Sequence, residues 1–213
     1  MSPRHILLAA ISAGAIALTG QVLAAPISST LVIIDEDKRF SNFTCSVVSS
    51  GTTSGGCGTV DVQPLLGDTG LRFQDFFLAF TGPANSTLDV LIGYDVQVLD
   101  PSKSIESITL AFNGTANGIA FTNVVETAFD ANGNIVGQAQ VFTPPPTLQT
   151  EVFLTSPQQF LHIEKDIGLA SFLPGPSSAT ISFIDQDFHQ TGDVPEPMTL
   201  ALFGSGLIGL GLI

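Results

Sequence analysis

The sequence predicts an all-β protein, an antiparallel β-sandwich or jelly-roll-like domain, on three observations. Apolar residues recur mostly at every second position, as a sheet with one buried and one wet face requires. Turn residues punctuate the chain at short intervals, and no segment shows a helical period that would cover a parallel sheet. The aromatic content is sixteen Phe, one Tyr and no Trp. Phe brings no polar tip that needs a partner, so it suits a dry layer between two sheets.

The first residues read as an export signal. Met1 to His5 carries Arg4, "ILLAAISAGAIALTG" is uncharged and apolar, and "QVLAAP" supplies the small residues Val22 and Ala24 at a signal-peptidase spacing. Residues 1–24 are therefore expected to be a signal peptide cut after Ala24. A cut after Ala25 would leave Pro26 first and is the weaker alternative, and the run is short for an anchor. Residues 25–193 then form the exported β-sandwich domain, long enough for an adequate core, and residues 194–213 form a tail.

Charge and cysteines bound the domain further. Between 25 and 193 stand five basic residues, Lys38, Arg39, Arg72, Lys103 and Lys165, against eighteen acidic ones. That balance repels nucleic acid and anionic lipid headgroups, so nucleic acid is excluded as a partner. The acids are scattered, as on a solvated surface. Cys45 and Cys57 enclose small polar residues in "CSVVSSGTTSGGC", and an exported chain meets an oxidising compartment, so they are expected to form a disulfide. Two thiols without a nearby His are too few for a structural zinc site.

The strands follow in order. "TLDVLIGYDVQVL" places Leu88, Val90, Ile92, Tyr94, Val96 and Val98 on one face and Asp89, Asp95 and Gln97 on the other. "SIESITLAF", "GIAFTNVVETAF", "NIVGQAQVF", "TEVFL", "FLHIEK" and "ATISFI" are further strands. Between them lie Pro101, Asn113-Gly114, Asn117-Gly118, Asn132-Gly133, the prolines 144–146 and "LPGPSS". The triple proline reads as a loop between strands, because too few residues follow it for a second core.

Candidate chemistry is sparse: no nucleophile elbow, zinc-protease helix, Walker loop or dinucleotide glycine pattern occurs, and no cofactor is called for. "DANGN" offers Asp130, Asn132 and Asn134 at the first oxygen positions of a calcium loop, but Ile135 stands where that loop turns on Gly and Val141 where it needs Glu. A hairpin turn through Asn132-Gly133, joining strands near 121–129 and 134–142, is the expectation. "FIDQDFH" projects Asp185, Asp187 and His189 from one face of a regular strand, a weak metal candidate against a polar strand end fraying into a linker. His162 and Glu164 share a face as solvated surface. The sequons at Asn42, Asn85 and Asn113 are expected by chance in a chain rich in Ser and Thr.

The tail "VPEPMTLALFGSGLIGLGLI" combines Val194, Pro195, Glu196 and Pro197 with an apolar run, Met198 to Ile213, spaced by Gly204, Gly206, Gly209 and Gly211. It resembles the PEP-CTERM sorting signal, in which Pro-Glu-Pro precedes a glycine-spaced hydrophobic helix. That resemblance implies processing by an exosortase in a Gram-negative, exopolysaccharide-producing bacterium. It also implies membrane anchoring through the tail before processing, then a place at the cell surface or outside the cell. The family's closing arginines are not present through Ile213. "FDANGNIVG" and "KDIGL" are loosely similar to exported domains bearing this tail, and no catalytic residue comes with that likeness.

These readings lead to a non-enzymatic, surface-sorted protein of the cell surface or extracellular matrix. A glycan-binding module with an extracellular polysaccharide partner is the alternative, disfavoured because Tyr94 falls on the core face, and a hydrolase built on Asp185 and Asp187 ranks third. Secreted material is expected to begin at Ala25. N-terminal sequencing that finds Met1 retained would refute the export signal.

Overall fold

The computed structural model describes residues 24–65, 69–81 and 84–191. The expected signal peptide, the sorting motif Val194 to Pro197 and the C-terminal hydrophobic helix lie outside the described residues. Within them the chain is all-β: fourteen strands in two antiparallel sheets, with no helix. In chain order they are β1 (Ala25–Pro26), β2 (Ile33–Asp35), β3 (Lys38–Ser50), β4 (Thr52–Ser54), β5 (Asp61–Pro64), β6 (Gly70–Phe80) and β7 (Ser86–Val98). Then follow β8 (Ile105–Phe112), β9 (Thr115–Asn117), β10 (Ala120–Phe129), β11 (Ile135–Thr143), β12 (Gln149–Gln158), β13 (Phe160–Ser171) and β14 (Ser178–Gln190). One sheet runs β1-β5-β6-β14-β8-β12, with β4 on β6 and β9 on β14, and the other runs β11-β10-β13-β7-β3-β2. Most connections pass from one sheet to the other, including the 144–146 prolines between β11 and β12.

The alternation behaves as predicted where it is regular. On β7 the side chains of Leu88, Val90, Ile92, Tyr94, Val96 and Val98 are buried, and β13 and β3 pair with it on either side. Tyr94 stacks on Phe43 at 5.4 Å between ring centroids and tilts against Phe73 at 5.5 Å, so the aromatic layer spans both sheets.

Alternation does not reveal β3 and β6. In β3 the register with β7 shifts between Ser41 and Thr44, where Asn42 takes φ of 57°. That bulge lets Phe40 and Phe43, three apart, both point inward. In β6 the inward parity of Leu71, Phe73, Phe77 and Ala79 is interrupted by Asp75. Its carboxylate accepts from Gly56 N and Thr59 Oγ1, each at 2.8 Å, and so holds the loop beyond β4. β12, β13 and β14 also run further than "TEVFL", "FLHIEK" and "ATISFI". A bulge between Ile181 and Phe183 keeps β14 in register with β6, and Asn113 Oδ1 accepts the bulge amides of Ser182 and Phe183 at 2.9 and 3.0 Å.

The core between the sheets contains a polar trio, two of whose members are ionisable. Lys165 on β13, Glu126 on β10 and Gln186 on β14 are fully buried. Lys165 Nζ donates to Glu126 Oε2 and, at 2.9 Å, to Gln186 Oε1. Burial lowers the affinity of the Lys165 amine for its proton, against the pull of Glu126, and burial raises the Glu126 carboxyl, against Lys165 and Gln186.

Cys45 on β3 and Cys57 beyond β4 are bonded, with their Cα atoms 5.6 Å apart. The bridge ties the second sheet to the loop of the first and restricts the unfolded chain over twelve residues of separation. Replacing both cysteines by Ser should cost about 3 kcal/mol, a fall in Tm of roughly 6–12 °C for a domain of this size. A calorimetric Tm equal to that of the unmodified protein would contradict this.

Candidate functional site

A cleft of about 420 Å³ opens at one end of the outer face of the six-stranded sheet, lined by Phe129, Phe160, His162, Glu164 and the β10–β11 turn at Asp130, Ala131 and Gly133. Period-two geometry builds it: His162 and Glu164 alternate with the buried Leu161, Ile163 and Lys165, and Phe129 faces His162 in cross-strand register.

The turn holds its own shape. Gly133 adopts φ of 81°, its N–H donates to Asp130 O at 3.0 Å, and Asp130 N donates to Asn134 O at 2.9 Å. Asp130 Oδ1 accepts the N–H groups of Asn132 and Asn134 at 2.8 and 2.9 Å, and Oδ2 accepts Asn134 Nδ2 at 2.9 Å. Those bonds hold the Asp130 carboxyl below its ordinary value, with the Asn134 side chain the largest contributor. The expected hairpin therefore forms between β10 and β11, and Asn134 turns a donor, not an oxygen, toward Asp130.

Across the cleft floor the imidazole of His162 is fixed. Its Nδ1 donates to Asp95 Oδ1 at 2.7 Å, and Asp95 Oδ2 accepts Asn42 Nδ2 at 2.7 Å. Both Asp95 oxygens are engaged, so Nε2 is turned toward Glu164, whose Oε1 lies 3.9 Å away. A ring held this way presents one nitrogen to a ligand in a defined tautomer. His162 also lies 6.2 Å from Phe129, centroid to centroid. The cleft thus offers two phenylalanine rings for the apolar face of a ligand, with an imidazole nitrogen and the Glu164 carboxylate for its hydroxyl or amino groups.

The other predicted residues lie elsewhere. Asp185, Asp187 and His189 do share the outer face of β14, but that strand is interior to its sheet, paired with β6 and β8, and does not fray. Asp185 is gripped by Arg72, Nε to Oδ1 at 2.6 Å and Nη2 to Oδ2 at 2.7 Å, while Arg72 lies 4.5 Å over the Phe183 ring. His189 Nε2 meets Thr109 Oγ1 at 3.0 Å and Asp187 Oδ2 at 3.5 Å. One of the two carboxylates is thus already paired with a cation, and no group of three or more His, Cys, Asp and Glu suited to a metal occurs among the described residues. The sequon asparagines have structural partners: Asn42 binds Asp95, Asn85 Oδ1 accepts Leu173 N at 2.9 Å, and Asn113 donates to Ser182 Oγ.

The sequence reading places His162 and Glu164 on solvated surface and does not join them to Asp95 or Asn42. Asp95 is 67 residues from His162 and 53 from Asn42, so no local pattern connects them. Lys165, Glu126 and Gln186 do carry a readable signal, since each occupies the inward parity of its strand beside apolar residues.

No family model matches the chain, and no curated protein matches it. Among solved structures it is similar to the enzymatically active domain of tailspike protein 4 of bacteriophage CBA120, at 15% identity and a TM-score of 0.33. That match covers 70% of this chain and 20% of that one. It is similar to TmCBM61 in complex with β-1,4-galactotriose, at 9% identity and a TM-score of 0.33, over 68% of this chain and 88% of that one. A third is a chain of the Gap123 glycosylation-associated complex of Streptococcus agalactiae, at 9% identity and a TM-score of 0.31, over 67% and 24%. The chain therefore spans a fifth to a quarter of the tailspike and Gap123 chains. Likeness at this level assigns neither function nor ligand.

If the 130–134 turn is only a turn, millimolar calcium should leave the Tm unchanged, since a ligand that does not bind the native state cannot stabilise it. A calcium-dependent rise in a thermal melt would overturn that assignment.

Proposed function

We propose that the sandwich is a non-enzymatic glycan-binding module, exported by its leader, sorted through its tail by an exosortase, and resident at the cell surface or in the extracellular matrix. The observation that carries the binding reading is the cleft, where Phe129 and Phe160 stand beside an imidazole oriented by Asp95 and the Glu164 carboxylate. Sugar rings present an apolar C–H face and a rim of hydroxyls, and this cleft supplies a partner for each. Tyr94, the usual type of stacking residue, is buried in the core as expected, and phenylalanine takes the role.

A binding role is favoured over hydrolysis by the state of the carboxylates. Glycosidic hydrolysis needs one protonated and one free carboxyl group across the bond. Asp185 is held in a two-point contact with Arg72, and Asp95 spends both oxygens on Asn42 and His162.

Calorimetric titration with neutral oligosaccharides should show saturable binding. Phe129→Ala and Phe160→Ala should each weaken it by about 1–2 kcal/mol, roughly five- to thirtyfold. Absence of binding to any glycan on a broad array, or binding indifferent to both substitutions, would defeat the reading. For sorting, replacing Pro195, Glu196 and Pro197 by Ala should leave the tail attached in cells that have an exosortase. Mass spectrometry showing the same C-terminus with and without the enzyme would defeat that part.

A further inference from the structure

We propose that Lys165 and Gln186 become joined by an intramolecular amide bond, formed by the protein itself with Glu126 as the proton-transferring group, so that the two sheets are covalently tied through the core. The geometry places the reactants together. Lys165 Nζ lies 2.9 Å from Gln186 Oε1, and a carbonyl bond is about 1.23 Å, so Cδ of Gln186 lies within about 4.1 Å of the amine. That limit lies beyond the roughly 3–3.5 Å of a near-attack arrangement, so a small rotation of the Gln186 carboxamide has to bring Cδ to the amine. Glu126 hydrogen-bonds the same nitrogen and faces Lys165 in cross-strand register.

The surroundings favour the reaction. All three side chains are fully buried, and Lys165 Nζ lies 5.6 Å over the Phe73 ring. Ile92 stands beside Lys165 in register, and Leu71 and Leu110 flank Gln186. In such a layer burial lowers the Lys165 amine's affinity for its proton and raises that of the Glu126 carboxyl, which brings the neutral pair, amine with carboxylic acid, closer in free energy to the charged one. A neutral amine has the lone pair that attack requires.

The step balances without a co-reactant. The amine nitrogen bonds to Cδ while the Glu126 carboxylic acid gives its proton to the carboxamide group. Glu126 then takes a proton from the attacking nitrogen and passes it to the departing one. The Cδ–Nε2 bond breaks, ammonia leaves, and the proton first given to the carboxamide oxygen returns to Glu126 as the carbonyl re-forms, so Glu126 ends as it began. No electrons are transferred, and no other group of the protein takes part. Glu126 Oε1 makes no close hydrogen bond among the described residues, while the Gln186 side chain acts on the Glu126 carboxyl, so acid and carboxamide are within reach of each other.

The test is the mass of the folded full chain and its tryptic map. No Lys or Arg lies between Lys103 and Lys165, nor between Lys165 and Ile213. An unlinked chain therefore gives a peptide ending at Lys165 and another beginning at Asp166. A linked chain resists trypsin at the acylated Lys165 and gives one species, from Ser104 onward, lighter by one ammonia, with a branched fragmentation pattern joining Lys165 to Gln186. The expected result is near-complete linkage in the unmodified protein, and none in Glu126→Gln or Gln186→Ala, with a lower Tm in both. Cleavage after Lys165 at full mass in the folded unmodified protein overturns the proposal, whatever the variants do. So does an ammonia loss that maps to another site, or equal linkage in Glu126→Gln.

Discussion

The rest of the structure depends on the burial of a lysine and a glutamate between two sheets. An unpaired charge there would cost several kcal/mol, so Lys165 and Glu126 are tolerable only where they meet. Their meeting requires β10 and β13 to pair in the register that sets Glu126 opposite Lys165. It also requires the facing sheet to place Gln186 over them. A slip of one residue in either strand would turn the trio to solvent and every outer polar residue to the core. Apolar packing alone accepts several alignments of Val, Ile and Leu, whereas this trio accepts one.

That registry propagates outward because a strand has two faces. On β13 the inward Lys165 is adjacent to the outward Glu164, and the inward Ile163 separates it from His162. Fixing the lysine against Glu126 therefore fixes the height of His162 beside Phe129 and Asp95. The opposite sheet is fixed by the same means: Gln186 on β14 is flanked by Asp185 and Asp187, and Asp185 is held by Arg72. The bulge at 181–183, filled by Asn113, lets β14 follow β6 below this point while keeping its inward residues inward.

Legibility in the sequence followed locality. β7 and β10 announce themselves because their alternation is unbroken, β8 and β11 because it is regular over 108–112 and 137–143, and the 130–134 turn does so because all its partners lie within four residues. β3 escapes period-two reading because a bulge at Asn42 puts Phe40 and Phe43 on one side, and β6 escapes because Asp75 occupies an inward position to hold a distant loop. The cleft was the least legible part. His162 and Glu164 are visible as a pair, but their meaning comes from Asp95 and Asn42 on β7 and β3, brought alongside only by strand pairing. The buried trio lay between these cases, since charge at an inward parity is visible in "FLHIEKDIGL" although its partners are not.

The bulge at Asn42 shows why an irregularity of this kind is retained. Its left-handed backbone is a conformation that asparagine tolerates better than most residues, and the extra residue sends Asn42 outward to Asp95 while Phe43 goes inward to stack on Tyr94. A regular strand would place residues 42 and 43 on the opposite pair of faces and lose both contacts. Asp95 would then keep only its bond to His162, and the imidazole would be held at one oxygen of a carboxylate free to rotate. The departure from alternation that conceals β3 from a sequence reading is thus the same feature that orients the cleft, and it costs the core nothing because Phe43 remains buried.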